Sequence, residues 1–159
     1  MPTEELDEID RGILQLLQGD ARNRTPVDMA EHLPVSDGTV RNRIENLEER
    51  GIIEGYVPVL NYEAAGFPLK LVISCPSPIR SRAEMAQEAR DLPHVISVRE
   101  MLTAQDNIRV TAVATDIDDI TQIDAQLVEL GLTIEREALM RHEFVRPFNG
   151  FGPDVDEEV

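Results

Sequence analysis

The chain has 159 residues, 42% of them hydrophobic, with 31 acidic against 15 basic side chains and a net charge of -16. That length suits one domain or two small ones, and no stretch approaches 18 apolar residues, which argues against a membrane span. The acidic start MPTEELDEID is unlike a secretory leader, and the single cysteine, Cys75, excludes an intrachain disulfide, so a cytoplasmic protein is expected.

Leu6, Ile9, Ile13, Leu14, Leu16 and Leu17 recur at helical spacing behind acids that suit a helix N-terminus, and Gly19-Asp20 ends this first predicted helix. A short second helix is expected from Pro26, capped by Thr25, burying Val27, Ala30 and Leu33 and stopping at Leu33-Pro34. Ser36 then caps a third helix over 37–50, which Gly51 terminates. Ile52-Ile53 start a short strand, and EGYVPVLNYEAAG reads as a small hairpin or wing followed by a linker.

From Leu69 the pattern changes. LKLVISC is a strand, 79–92 a helix rich in Arg, Glu and Ala, and 95–102 a second strand. Residues 107–115 form a third, with Ile108, Val110, Ala112 and Ala114 on one face and Arg109, Thr111 and Val113 on the other. A helix over 117–130 turns Ile120, Ile123, Leu127 and Leu130 inward, and 134–145 is a final strand. Strand-helix-strand-strand-helix-strand is the ferredoxin-like order, an antiparallel sheet with both helices on one side. The opposite face needs a cover, and alternation is expected to give it apolar residues, so dimerisation through that face is the economical arrangement. In the last strand, His142 shares the face of Met140 and Phe144, with Arg141 and Glu143 on the other. The class is therefore α+β: residues 1–57 a winged helix-turn-helix domain, 58–66 a linker, 67–148 a ferredoxin-like dimerisation domain, and 149–159 an acidic flexible tail.

The third helix sorts its side chains by chemistry. At about 100° per residue, Val40, Ile44 and Leu47 form a core stripe. Thr39, Asn42, Arg43, Asn46 and Arg50 fill a neighbouring arc that contains no carboxylate of this helix, while Glu45, Glu48 and Glu49 fall outside it. With Ser36 at its start, that arc has the donors and acceptors of a DNA-reading surface. Asn42 matches an adenine edge, and Arg41 or Arg43 a guanine edge or a phosphate. The plainer reading is a solvated amphipathic helix, and the charge of the region favours it: up to Gly55 six arginines face thirteen acids. Acids spread along the whole chain with a single lysine, Lys70, resemble proteins of salt-loving microbes. In about 1 M salt the Debye length is near 3 Å, so distant carboxylates repel a polyanion little.

The run LDEIDRGILQLLQGDARNRTPVDMAEHLPVSDGTVRNRIENLEERGIIEGY is similar to the Lrp/AsnC family of bacterial and archaeal transcription regulators. Leu6, Asp10, Ile13 and Leu14 match its first helix. Ser36, Thr39, Val40, Arg43, Ile44, Leu47, Glu48, Gly51, Ile52 and Ile53 match its reading helix and exit, and VPVLNYEAAG its linker. The resemblance implies a partner in double-stranded DNA, a homodimer that assembles further into octamers or other multiples, and an amino-acid effector bound by the second half. The family's effector turn, usually Gly-x-x-Asp, corresponds to Thr103, Ala104, Gln105 and Asp106. Thr103 departs from the glycine, and a threonine there disfavours a positive φ and narrows a pocket.

No Gly-rich phosphate loop, His-Glu-x-x-His pair or cysteine cluster appears, and His32, His94 and His142 are far apart, so neither a metal nor a cofactor is expected and no catalytic residue is assigned. Two other readings fit the same pattern. One is an effector-binding or assembly module that has lost DNA binding. The other is a subunit resembling the siroheme decarboxylases, for which Arg99, Arg109, Arg136 and His142 would have to line a tetrapyrrole-sized cleft.

Overall fold

The computed structural model describes residues 5–103 and 107–152, which form two compact units. The first comprises the described residues up to Pro58 together with Phe144 to Gly152, and the second runs from Val59 to Glu143. No helix among the described residues is long and apolar enough to cross a membrane.

Helix α1 (Glu8–Asp20) opens with a capping box: the Asp10 amide donates to the Asp7 carboxylate at 2.9 Å and the Asp7 amide to Asp10 at 3.3 Å. Helix α2 (Pro26–His32) repeats the device with Thr25 and Asp28, and its end at Leu33 turns extended ahead of Pro34. Helix α3 (Asp37–Glu49) starts where the Thr39 amide donates to the Ser36 hydroxyl at 3.2 Å. Gly51, at φ +67°, closes it: the amides of Gly51 and Ile52 donate to the carbonyls of Glu48 and Leu47, both at 2.9 Å. Ile13, Leu14, Leu16, Leu17, Met29, Val40 and Leu47 make the core of this unit.

Two local expectations fail here. Val27 is 56% exposed and Met29 takes its place in the core. The Thr25 cap and the stop at Pro34 fix the rotation of a seven-residue helix, and Val27 lies about 200° around it from Met29. The short strand at Ile52-Ile53 and the hairpin after it are absent, residues 52–57 running without ladder pairing. The amides of Ile52 and Ile53 both go to the Leu47 carbonyl, so the helix end consumes the donors a strand would need. In the expected flexible tail, Phe151 packs on the core and meets Phe148 edge to face at 5.0 Å; residues 153–159 lie outside the described residues.

The second unit contains β1 (Leu69–Cys75), α4 (Arg82–Arg90), β2 (Val95–Glu100), β3 (Ile108–Ala114), α5 (Ile117–Glu129) and β4 (Arg136–Leu139). Its sheet has the order β2-β3-β1-β4 with every pair antiparallel. Leu71, Ile73, Cys75, Ile108, Val110, Ala112 and Ala114 pack against Ala89 of α4 and Ile123 and Leu127 of α5, so both helices cover one face. Burial pushes the Cys75 thiol, with Asp124 nearby, up to about 11.

Helix α4 is shorter than 79–92 because the Pro78 carbonyl accepts from the Ser81 amide at 3.2 Å, holding 79–81 in a turn. Strand β4 covers four residues rather than 134–145. Just outside it the amides of Glu135 and Met140 donate to the carbonyls of Ser74 and Lys70, and the chain then runs past the start of β1. The face away from the helices is less apolar than expected. Register places Val72, Val113 and Ala138 there among Lys70, Ser74, Ser97, Thr111 and a row of Arg99, Arg109 and Arg136. Glu143 joins this face, its carboxylate bonded to Lys70 and held below its usual pKa first by that bond.

Candidate nucleic-acid interface

Helix α3 is seated by Val40 and Leu47, both fully buried, which leaves its polar arc outward. Ser36 and Thr39 hydroxyls bond each other at 3.0 Å at the start of the arc, and Arg50 Nη1 donates to Asn46 Oδ1 at 3.1 Å at its end. Asn42 is exposed between them. Arg41 is exposed too, but helical geometry turns it about 200° from Thr39, toward Glu45 and Glu48. The structure thus gathers Ser36, Thr39, Asn42, Asn46 and Arg50 and leaves Arg41 apart.

Arg43 stands closest to the core stripe and is tied inward. Its Nη1 lies 2.8 Å from Asp7 Oδ2 and 3.2 Å from Asp10 Oδ1. Asp10 is 2% exposed, so this pair reaches into the interior. The Asp10 amide, and after it the Arg43 guanidinium, hold the Asp7 carboxyl below its ordinary range against the cost of desolvation. Glu5, Asp7, Asp10, Arg43, Asn46 and Arg50 line one cleft of about 400 Å³, so acids before and at the start of α1 flank the arc even though α3 adds none to it. Behind the helix, the Tyr56 hydroxyl donates to Glu48 Oε1 at 3.0 Å, and burial together with this bond pushes Tyr56 to about 12.

The motif match includes Asp10 but assigns it no role, although its phase was visible: it sits three, four and seven residues ahead of Ile13, Leu14 and Leu17, on the apolar stripe of α1.

In the second unit, Thr103 is exposed and does not need the backbone of a glycine. His94 is the sole non-glycine residue with positive φ among the described ones. The Thr103 carbonyl accepts from Arg82 Nη2 at 3.3 Å, and the Met101 carbonyl from Arg82 Nη1 at 3.0 Å. Ala104, Gln105 and Asp106 lie outside the described residues. Asn107, 1% exposed, closes the turn by bonding the Ser77 amide and carbonyl, each at 2.7 Å. Arg82 was also legible by phase, preceding Met85, Ala86 and Ala89 on the inward stripe of α4. No group of three or more His, Cys, Asp and Glu arranged to hold a metal occurs among the described residues.

Residues 6–54 match the family model for winged helix-turn-helix DNA-binding domains. An uncharacterized HTH-type transcriptional regulator of Pyrococcus furiosus is 44% identical over 69 residues, a match that spans 43% of this chain and 46% of that protein. HTH-type transcriptional regulator LrpA of Pyrococcus horikoshii is 33% identical over 121 residues, 74% of this chain and 82% of the relative. Among solved structures, the crystal structure of MtbAldR, from Mycobacterium tuberculosis, superposes with a TM-score of 0.76 at 25% identity, covering 90% of this chain and 99% of that one. A head that matches the winged helix-turn-helix model, a β2-β3-β1-β4 sheet with two helices on one face, and a third of residues shared with LrpA along most of its length coincide in one chain: it belongs to the Lrp/AsnC family of helix-turn-helix transcription regulators.

Proposed function

We propose that this protein is a sequence-specific transcription regulator that reads double-stranded DNA with Ser36, Thr39, Asn42, Asn46 and Arg50 of the third helix. The observation that carries the reading is the exposed polar arc, free of carboxylates from its own helix, on a helix seated by Val40 and Leu47. Amides and a guanidinium of this reach pair with base edges in the major groove. Arg43 contributes by holding the reading helix against α1, and Arg41 belongs to the phosphate side of the surface.

The second unit answers to an amino acid or a related small metabolite at the turn entered by Thr103. The molecule acts as a homodimer, or as a multiple of dimers such as an octamer, because Val57, Val59 and Phe144, each at least 87% exposed, leave apolar surface that a second copy would cover. The working solvent is a saline cytoplasm, where a net charge of -16 is screened.

The test is selection of bound sequences from random duplexes at molar salt. A single recovered motif with two related half-sites is expected. Asn42→Ala should lose about 1–3 kcal/mol of discrimination at one base pair per half-site while melting like the wild type. No enrichment, or wild-type specificity in the variant, would defeat the assignment.

A further inference from the structure

A Cβ on Gly12 would stand 2.5 Å from Leu33 Cδ2, so Leu33 rests directly on the backbone of α1. Beside this contact the head carries a trough of about 490 Å³, walled by Ile9, Gly12, Leu33 and Pro34. Phe151 lines the same trough and, like Ile9 and Leu33, packs half-buried on the core of the head. Its ring takes from water apolar surface that the trough would otherwise expose.

The segment that brings Phe151 there is shaped for the purpose. Phe148 meets the Phe151 ring edge to face at 5.0 Å, a favoured aromatic geometry. Gly150 lets the chain fold back over Phe148, because a Cβ at that position would strike the ring. Pro147, just ahead, restricts the backbone and so lowers the entropy lost when the segment is seated. Together these residues make a turn of defined shape where fraying was expected. The chain belongs to the sheet unit up to Glu143 and to the head from Phe144, so it passes between the units here as well as at Pro58-Val59.

We infer that residues 148–152 are a clasp that docks in the trough of the head of their own chain. Leu33 and Pro34 lead directly to Ser36, the cap of α3, so the seated ring steadies the turn that sets the reading helix on α1. The sheet unit thereby holds the head from its C-terminal side as well as through the linker. The clasp itself is independent of the DNA reading above; its effect on DNA binding rests on that reading.

The experiment compares the full chain with Phe151→Ala and Gly150→Ala in molar potassium chloride. In both variants the amides of α1 and of Val35 should exchange hydrogen roughly tenfold faster, while those of β1 and β3 keep their wild-type rates. DNA affinity should fall several-fold with the preferred sequence unchanged, and the sedimenting mass should stay as in the wild type. Wild-type exchange in α1 of both variants would overturn the docking. Faster exchange with wild-type DNA affinity would overturn the steadying role. A smaller sedimenting species would show that the segment crosses to a second copy and would overturn the intrachain form. A wild type that binds no DNA would defeat the DNA reading and with it the steadying role, and the exchange rates would still decide the docking. Should Phe151→Ala fail to fold, Phe151→Leu, which keeps an apolar contact without the ring, should show the same pattern with a smaller shift, and wild-type rates there would overturn the docking equally.

Discussion

Two charged side chains govern how each unit holds its working surface, and both are buried. Asp10 receives Arg43 from the reading helix, and Arg82 holds the turn beyond Met101. Removing Arg43 leaves Asp10 charged in the interior with one partner fewer, the costly way to break such a pair. Because the Arg43 side chain is 40% exposed, Arg43→Ala should cost less than a fully buried pair, about 1–3 kcal/mol in urea unfolding with an unchanged m-value. It should weaken DNA binding through loss of the folded head, whereas Asn42→Ala should change specificity without changing stability. Wild-type stability in the arginine variant would show that the ion pair does not anchor α3.

At the scale of elements, helix ends decide more than helix interiors. Gly51 stands at φ +67° with open space around its α-carbon, so the cost of Gly51→Ala is backbone strain alone, about 1 kcal/mol by chemical denaturation. Helix α5 ends in the same way at Gly131, φ +90°. Between α5 and β4, Asp124 and Glu137 share a hydrogen bond, and burial raises both carboxyls above their ordinary values, the neighbouring acid adding to the effect on Glu137. An acid whose folded pKa is raised binds its proton more tightly in the folded state, so the pair costs stability at neutral pH and that cost disappears as pH falls into the raised range. Asp7, Asp28 and Asp119 run the other way: their lowered values contribute stability above the ordinary carboxylate range that is lost as pH falls below about 3.8. Asp124→Asn should therefore raise the melting temperature at pH 7, on the order of 1–2 °C, with the gain shrinking toward pH 4. A gain that persists unchanged in acid would point to packing instead.

For the molecule as a whole, charge sets the conditions of work. With 31 acids against 15 bases, self-repulsion is long-ranged in dilute buffer and short-ranged in concentrated salt, where the screening length falls from about 10 Å to about 3 Å. Raising potassium chloride from about 0.1 M to about 1 M should raise the melting temperature. DNA affinity should fall with salt on a shallow log-log slope, shallower than roughly -5, because few arginines are free to replace counterions. A melting temperature that is flat or falls with salt would remove the case for a saline cytoplasm. Sedimentation of the full chain at high salt should give dimers or multiples of dimers, and Val59→Asp should shift that distribution toward monomer; a wild-type monomer would contradict the assembly.

Local rules written in the chain settled most of the architecture. Capping residues Asp7, Thr25 and Ser36, the stop at Pro34 and the glycine at 51 define three helices almost to the residue, and alternation in β3 separates Ile108, Val110 and Ala112 from Arg109. These are effects of neighbours within a few positions, and they need no knowledge of the rest of the fold. The register of the sheet and the partners of charged groups come from distant segments. Only the tertiary structure gave Arg43 its ion-pair partner Asp10, which lies 33 positions away. In the same way it turned Arg82 from one more arginine on a solvated helix into the buried cation beside Thr103, 21 positions on, and filled the uncovered sheet face with arginines as well as valines. Periodicity tells which side of an element a residue takes, but what waits on that side is decided by the packing of the whole chain.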